Sequence, residues 1–320
     1  MVPPWIPVRI VSKTLAAEDI YIFELADPES RNLPAFSAGS HIDVEVRPGL
    51  VRQYSLCNNP TENGRYQIAV LLDPASRGGS SGLHDDWSAG ALINISAPRN
   101  HFGLEPSARQ SILLAGGIGV TPLLCMAERL SHIGADFELH YCTRSQARTA
   151  FLDRIANCAL SEHTRFHFDE GPNNQRLDPK AVLGASRPDT HVYVCGPPGF
   201  IDWIFAAAET AGWPEDQLHR EYFTAPETTK SQTGDTAFDV RIASTGQTIT
   251  IPADQSVAAT LAAHGIEITV SCEQGVCGTC ITGVLEGEPD HRDMILTDAD
   301  LDQFTPCCSR SYSPLLVLDL

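Results

Sequence analysis

The stretch Cys272-Glu273-Gln274-Gly275-Val276-Cys277-Gly278-Thr279-Cys280 sets three thiols within nine residues in a C-x4-C-x2-C spacing, and Cys307 and Cys308 follow near the C-terminus. Three thiolates on one loop with a distant fourth are the ligand pattern of a two-iron, two-sulfur cluster. Iron in such a cluster is held by soft thiolate sulfur. The loop has to fold tightly around a compact inorganic core. Gly275 and Gly278 permit this, because glycine adopts left-handed conformations at little steric cost and lets backbone N–H groups approach sulfur. Structural zinc uses two short, separated cysteine pairs, a pattern this stretch lacks. Cysteines buried only for packing are the other alternative.

Two segments further upstream carry groups suited to a flat aromatic cofactor with a phosphate tail. In Arg52-Gln53-Tyr54-Ser55, strand geometry puts Arg52 and Tyr54 on one face and Gln53 on the other. Such a cofactor needs a cation, an aromatic neighbour and a small hydroxyl donor together, and the segment carries all three residue types. Arg77-Gly78-Gly79-Ser80-Ser81-Gly82 reads as a glycine-serine loop able to turn backbone N–H groups onto a phosphate. Arg77, Gly79 and Ser80 are its candidate contacts. Taken singly, the first segment is also an ordinary strand and the second an ordinary flexible loop.

Two more motifs suit a dinucleotide. Gly116-Gly117-Ile118-Gly119-Val120-Thr121-Pro122 lies between the apolar run Ser111–Ala115 and a helical pattern reaching Ile133. A strand, a glycine turn and a helix place a pyrophosphate near a helix N-terminus, although the G-x-G-x-x-G spacing is absent. Cys195-Gly196-Pro197-Pro198-Gly199 ends a second strand. It sets a thiol and a tight turn at the carboxyl edge, where open α/β sheets bind ligands. Alone, this motif is also plain turn chemistry around an inert cysteine. Glu221-Tyr222-Phe223 closes the region, and its aromatic pair reads as packing or as a flavin cover.

These motifs need a scaffold, and the pattern supplies three. Residues 1–105 alternate apolar and polar positions in short runs (Val8–Val11, Ile20–Leu25, His41–Val46, Tyr66–Leu72, Leu92–Ser96), which predicts an antiparallel β-barrel. Residues 106–226 alternate strands with helices and predict an α/β domain with a parallel sheet. Residues 227–236, within a Thr- and Gly-rich stretch, read as a linker. Residues 237–320 predict a hairpin across Gly246-Gln247, a helix at Ser256–His264, the cysteine loop and a final strand at Leu315–Leu320. His291-Arg292-Asp293 reads as a surface loop. With 40 acidic against 22 basic residues, the formal charge of −18 argues against nucleic acid and anionic membrane surfaces, which bind through Lys and Arg. An acidic electron carrier suits a basic partner. No apolar run approaches a spanning helix, and the N-terminus lacks a secretory pattern. Ten cysteines without such a signal place the expected protein in the cytoplasm.

Taken together, R-Q-Y-S, R-G-G-S, G-G-I-G-V-T-P, C-G-P-P, C-E-Q-G-V-C-G-T-C, D-H-R-D-M and the C-C-S-R tail occur in an order that resembles the phthalate dioxygenase reductase family over essentially the whole chain. The resemblance implies a multidomain protein: an FMN-binding β-barrel, a ferredoxin-reductase-like NAD domain and a C-terminal [2Fe–2S] ferredoxin domain of the β-grasp type. It implies NADH as donor, a Rieske-type oxygenase component as acceptor, and a monomer. Arg52, Gln53, Tyr54, Ser55, Arg77, Gly79 and Ser80 would hold FMN. Gly116, Gly117, Gly119, Thr121, Arg144, Cys195, Gly196 and Pro197 would bind the nicotinamide cofactor. Cys195, Thr121 and Phe223 would lie nearest the hydride step, with Phe223 stacked near the flavin.

In the family, the tail C-x-S-R makes Cys307 the fourth cluster ligand beside Cys272, Cys277 and Cys280. The segment before it is one residue short, so Cys308 stays open as the alternative. Ser145 stands where some NADH-using relatives carry an acidic residue. With Arg144 and Arg148 nearby, NADPH also stays open. Rival readings are a reductase for a cytochrome P450 and a redox-sensing or electron-storage protein.

Overall fold

A computed structural model describes residues 5–172, 175–224, 235–297 and 299–320. Residues 227–234 of the expected linker lie outside that set. The chain divides into two compact units, one running to Glu221 and the other spanning Tyr222–Leu320. The first unit contains both of the first two expected sheets.

Alternating burial turns the N-terminal part into β1 (Ile6–Ala17), β2 (Ile20–Ala26), β3 (His41–Arg47), β4 (Leu50–Ser55), β5 (Tyr66–Leu71) and β6 (Leu92–Ile95). All pair antiparallel, in the order β4-β3-β6-β1-β2-β5. A bridge from Leu56, just past β4, to Ile68 of β5 joins the two edges and closes the barrel. Val8, Ile10, Phe23, Leu25, Ile42 and Val44 point inward. The expected glycine-serine loop is mostly a helix, α1 (Gly79–Asp86). Gly78, at φ +86°, makes the turn into it. Leu83 of α1 and the following Trp87 are buried in the barrel core. That anchorage is tertiary: within Gly79–Asp86 only Leu83 is a large apolar residue, so no helical period is legible.

The second sheet is parallel. Its strands are β7 (Gln110–Gly116), β8 (Asp136–Thr143), β9 (Thr164–Phe168), β10 (Thr190–Cys195) and β11 (Leu218–Glu221), in the order β11-β10-β7-β8-β9. The helices between them are α2 (Val120–Ile133), α3 (Leu152–Ala156), α4 (Pro179–Leu183) and α5 (Pro198–Thr210). Ile112–Ala115 of β7 and Val192–Cys195 of β10 are continuous apolar runs because they are covered on both faces, whereas β8 begins with alternation, its Asp136 and Glu138 exposed. α2 ends at Gly134, whose φ of +67° forms the usual left-handed C-cap.

The C-terminal unit holds β12 (Phe238–Ile242), β13 (Thr248–Ile251), α6 (Val257–Ala263), β14 (Thr282–Glu286), β15 (Pro289–Asp290), β16 (Gln303–Phe304), β17 (Arg310–Ser311) and β18 (Leu315–Leu318). The main sheet runs β13-β12-β18-β14-β16, with the terminal strand β18 parallel to β12. Ser256 caps α6, its Oγ accepting from the Ala259 N–H at 3.2 Å. The buried Arg310 guanidinium donates to the carbonyls of Thr236, Pro252 and Gln255, tying the hairpin to the tail. Among the described residues no helix is long and apolar enough to cross a membrane.

Gly39, at φ +91°, leads into β3, and a Cβ there would lie 1.9 Å from the Phe102 carbonyl oxygen. Gly39→Ala should therefore cost about 2–4 kcal/mol of stability. Denaturant titration checks this. A loss below about half a kcal/mol would mean the Phe102 backbone yields freely.

Candidate functional site

β7 and β10 are parallel neighbours, with Ala115 opposite Cys195. Their carboxyl ends therefore deliver both glycine-bearing turns to one place. The turns nest backbone against backbone. A Cβ on Gly119 would sit 2.3 Å from the Cys195 carbonyl oxygen, and one on Gly196 would sit 2.9 Å from Gly116 Cα. A Cβ on Gly116 would meet the Phe200 ring at 2.9 Å and Pro197 at 3.1 Å. Gly117 takes φ +54° with open space beyond its Cα. Thr121 is buried, and its hydroxyl donates to the Ile118 carbonyl at 3.1 Å. This closes the turn that presents the backbone. Arg144 is exposed just past β8, whereas Arg148 is ion-paired with Glu18 at 3.1 Å.

The same edge receives a residue missed in the sequence. Glu221 ends β11 and lies in register with Cys195. Its Oε2 accepts from the Ser55 hydroxyl at 3.4 Å. Ser55, Cys195 and Glu221, from three separated segments, thus form one group. Burial lifts the Glu221 carboxyl to about 8, against the opposing hydrogen bond from Ser55. Burial, reinforced by Glu221, also pushes the Cys195 thiol well above its ordinary range. Burial thus disfavours the charged form of both groups at this edge. A glutamate at the end of a short strand was the available signal, but sequence alone does not show its neighbours.

On the barrel, the Arg52 stem crosses Gly79, where a Cβ would lie 2.8 Å from Arg52 Cγ. Arg52 donates to the carbonyls of Val51 (2.8 Å) and Arg77 (3.4 Å). A Cβ on Gly78 would lie 2.7 Å from an Arg47 guanidinium nitrogen. Arg47 is thus a second cation at this turn that motif reading overlooked. Burial raises the Tyr54 hydroxyl above the usual phenol range. Ser80 Oγ accepts from the Asp73 N–H at 3.0 Å. Gln53 pairs across to Asp43 in the β3–β4 register, and Arg77 is exposed.

In the C-terminal unit, the Cys272 thiol lies within hydrogen-bonding reach of Cys277 and Cys307, and Cys307 within reach of Cys280. The Gln274 and Val276 N–H groups point at Cys272 sulfur at 3.4 and 3.5 Å, and the Thr279 hydroxyl lies 3.3 Å from Cys277 sulfur. Glu273, Gly275 and Gly278 all take positive φ, which wraps the loop inward. These contacts hold the Cys272 thiol below its ordinary range, the neighbouring Cys277 and Cys307 thiols contributing most. Four converging sulfurs with backbone N–H groups aimed at them fit a [2Fe–2S] cluster. The Cys308 thiol is also within hydrogen-bonding reach of Cys307, at the margin of this group. Its sulfur lies 3.5 Å from Thr305 Oγ1 and 3.9 Å from Ser309 Oγ, and it fills the space that a Cβ on Gly275 would take, at 2.5 Å.

Phe223 belongs to the C-terminal unit and is 38% exposed. His291, expected on a surface loop, instead turns its side chain inward, leaving it 4% exposed. It lies 3.8 Å from Asp293, which accepts from the N–H groups of Ile295 and Leu296 and from the hydroxyls of Thr305 and Ser309. Asp293 thereby folds the segment back on the cysteine loop, where the Met294 N–H donates to the Gly275 carbonyl. That folding is what turns the His291 side chain inward.

Residues 7–103 match the oxidoreductase FAD-binding domain family, and residues 240–311 match the 2Fe-2S iron-sulfur cluster binding domain family. The chain is 54% identical over 316 residues to a vanillate O-demethylase oxidoreductase of Pseudomonas putida, covering 97% of this chain and 98% of that one. A solved structure of phthalate dioxygenase reductase, described as modular for electron transfer from pyridine nucleotides to [2Fe–2S], is 40% identical with a TM-score of 0.74. The match covers 99% of this chain and 98% of that one. This chain belongs to the phthalate dioxygenase reductase family. A type IV self-sufficient cytochrome P450 monooxygenase also contains a similar segment, 39% identical with a TM-score of 0.89, covering 99% of this chain and 41% of that one. The architecture is thus that of the family: flavin barrel, parallel-sheet domain and [2Fe–2S] domain, in an oxidoreductase.

For this family member, Glu221 gives a pH signature. Between its unfolded value near 4.3 and about 8, the folded chain holds a proton that the unfolded chain has released. Stability contributed at this site is therefore fully present at low pH and falls as pH rises through that window. The slope is on the order of 1.4 kcal/mol for each pH unit, so the whole decline is a few kcal/mol at most. Glu221→Gln should flatten the decline. Urea midpoints at pH 5.5, 7 and 8.5 for both proteins check this, and parallel profiles would rule out a buried, protonated Glu221.

Proposed function

We propose that this chain is the reductase component of a Rieske-type oxygenase system. It would take electrons from NADH through FMN and a [2Fe–2S] cluster to a separate oxygenase. The observation that carries this reading is the approach of Cys307 to the loop that bears Cys272, Cys277 and Cys280, in a chain that also joins Ser55, Cys195 and Glu221 at one sheet edge. When bound, the flavin supplies the exchange between two-electron and one-electron transfer, and the cluster supplies single-electron carriage.

The protein's own residues do the rest. Arg47, Arg52 and the Gly78–Gly79 backbone would hold the flavin phosphate, with Tyr54 beside the ring. The nested turns at Gly116–Gly119 and Cys195–Pro197 would let a dinucleotide lie against bare backbone. Cys195 and Glu221, whose charged forms burial disfavours, would orient the nicotinamide, with Glu221 Oε2 accepting from the Ser55 hydroxyl. Phe223 would cover the flavin, and Thr121 supports the turn. Cys272, Cys277, Cys280 and Cys307 would ligate the cluster. Tyr222–Leu320 carries fourteen acidic against four basic residues, which supports docking on a basic face of the oxygenase. None of the ten cysteines is in a disulfide, which supports action in the reducing cytoplasm; the chain would act as a monomer.

Support for NADH over NADPH is that Arg148 is already paired with Glu18. The second reading, a cytochrome P450 partner, is favoured by the similar segment of the self-sufficient P450. Reconstitution with a Rieske oxygenase and with a P450 separates the two, since only the true partner should draw NADH-dependent turnover.

The test of the whole reading is an anaerobic visible spectrum with one equivalent of NADH. Bleaching of both flavin and iron–sulfur absorption is expected. A colourless or zinc-loaded protein would overturn it. kcat/KM should favour NADH over NADPH at least about tenfold, on the order of 1.4 kcal/mol, and flavin released by denaturation should be FMN.

For the ligand set, Cys277→Ser should abolish cytochrome c reduction while NADH still bleaches the flavin. Cys308→Ala should keep full iron content and cluster absorption, while Cys307→Ala should lose them. The reverse result would make Cys308 the fourth ligand.

A further inference from the structure

Lys13 is one of only three lysines in the chain, and it is spent on the far end of α1. Its Nζ, carried on β1, lies 3.4 Å from the Leu83 carbonyl, 2.5 Å from that of His84 and 3.0 Å from that of Trp87. These carbonyls belong to the last turn of the helix and its C-cap, where backbone acceptors have no partner within the helix. An ammonium has three donors, and here it has three acceptors. The same nitrogen stands 4.7 Å over the Tyr21 ring and 5.6 Å over that of Phe23, so its stem is fixed by packing. The His84 ring also contacts the Val70 carbonyl at 2.9 Å, which ties this end of α1 to the barrel a second time.

The charges around α1 run against its dipole unless ligands complete them. A helix favours anions at its N-terminus and cations at its C-terminus. The last turn of α1 carries Asp85 and Asp86, and the first turn carries no acidic residue. At the N-terminal turn, Arg47 and Arg52 press against Gly78 and Gly79. Two cations beside the positive end suit that end to an anion. At the negative end the cation is Lys13, set against the Leu83, His84 and Trp87 carbonyls.

We propose that Lys13 is a positioning residue for the flavin phosphate: it clamps the carbonyl end of α1 so that the opposite end presents its N–H groups and dipole to the phosphate. This rests on the reading of the Gly78–Gly79 turn as the phosphate site. Lys13 does not touch the cofactor. It acts through the helix, roughly 12 Å long at eight residues.

The consequence is selective. Loss of Lys13 weakens the hold on the phosphate and leaves the hold on the flavin ring, so FMN and riboflavin separate the effects. Both are titrated into flavin-depleted full-length protein and followed by flavin fluorescence, with cluster circular dichroism confirming the fold. Wild type should bind FMN more tightly than riboflavin. Lys13→Met should weaken FMN severalfold, through loss of helix order and not through the charge itself, whose direct effect fades within one turn, and change riboflavin less than about twofold. Lys13→Gln keeps hydrogen-bond donors without charge, and it gives the same reading if Lys13→Met does not fold. Its expected loss is smaller and again confined to FMN. Equal weakening of FMN and riboflavin, or no weakening of either, overturns the role of Lys13. A wild type that binds the two flavins equally overturns the phosphate site itself, a distinct failure.

Discussion

The nucleotide side of this protein rests on the close approach of two backbone turns. Gly119 and Gly196 let the turns after β7 and β10 come within van der Waals distance of each other. Any side chain at either place would push the turns apart. Because β10 also pairs with β11, the same approach fixes Cys195 beside Glu221, and Glu221 reaches Ser55 of the barrel. One steric condition thus couples the parallel sheet to the flavin barrel at the point where electron transfer has to start.

Burial then sets the chemistry of that point. A carboxyl and a thiol withdrawn from water hold their protons, because a low-polarity environment penalises the charged form. Charge is avoided at this edge, although the chain as a whole carries a large negative charge. Arg47 and Arg52 sit at the Gly78–Gly79 turn and not at the edge that joins Cys195 and Glu221.

The cysteine loop obeys the same logic with different atoms. Its inward wrap comes from three irregularly spaced positive-φ positions, one of them a glutamate. Its outer wall is the segment folded back by Asp293, with Cys308 filling the gap above Gly275. A glycine that reads as freedom for the cluster is therefore also a requirement of the packing behind it.

Local pattern in the sequence was enough to establish which chemistry is present and in what order. Cysteine spacing, R-Q-Y-S and the two glycine turns carry their meaning in residues a few positions apart. Strand alternation made the barrel, the parallel sheet and the final strand legible for the same reason. The remainder came from tertiary contacts. They made α1 a helix where a loop was expected, because one buried leucine and the packing of its neighbour hold it. They brought Cys307 within reach of Cys272 and Cys280 of the loop. They turned the His291 side chain inward through Asp293, and they brought Arg47, Glu221 and Lys13 to work at sites far from them in the chain. Those are long-range contacts and solvation effects, and neither leaves a period or a spacing in the sequence.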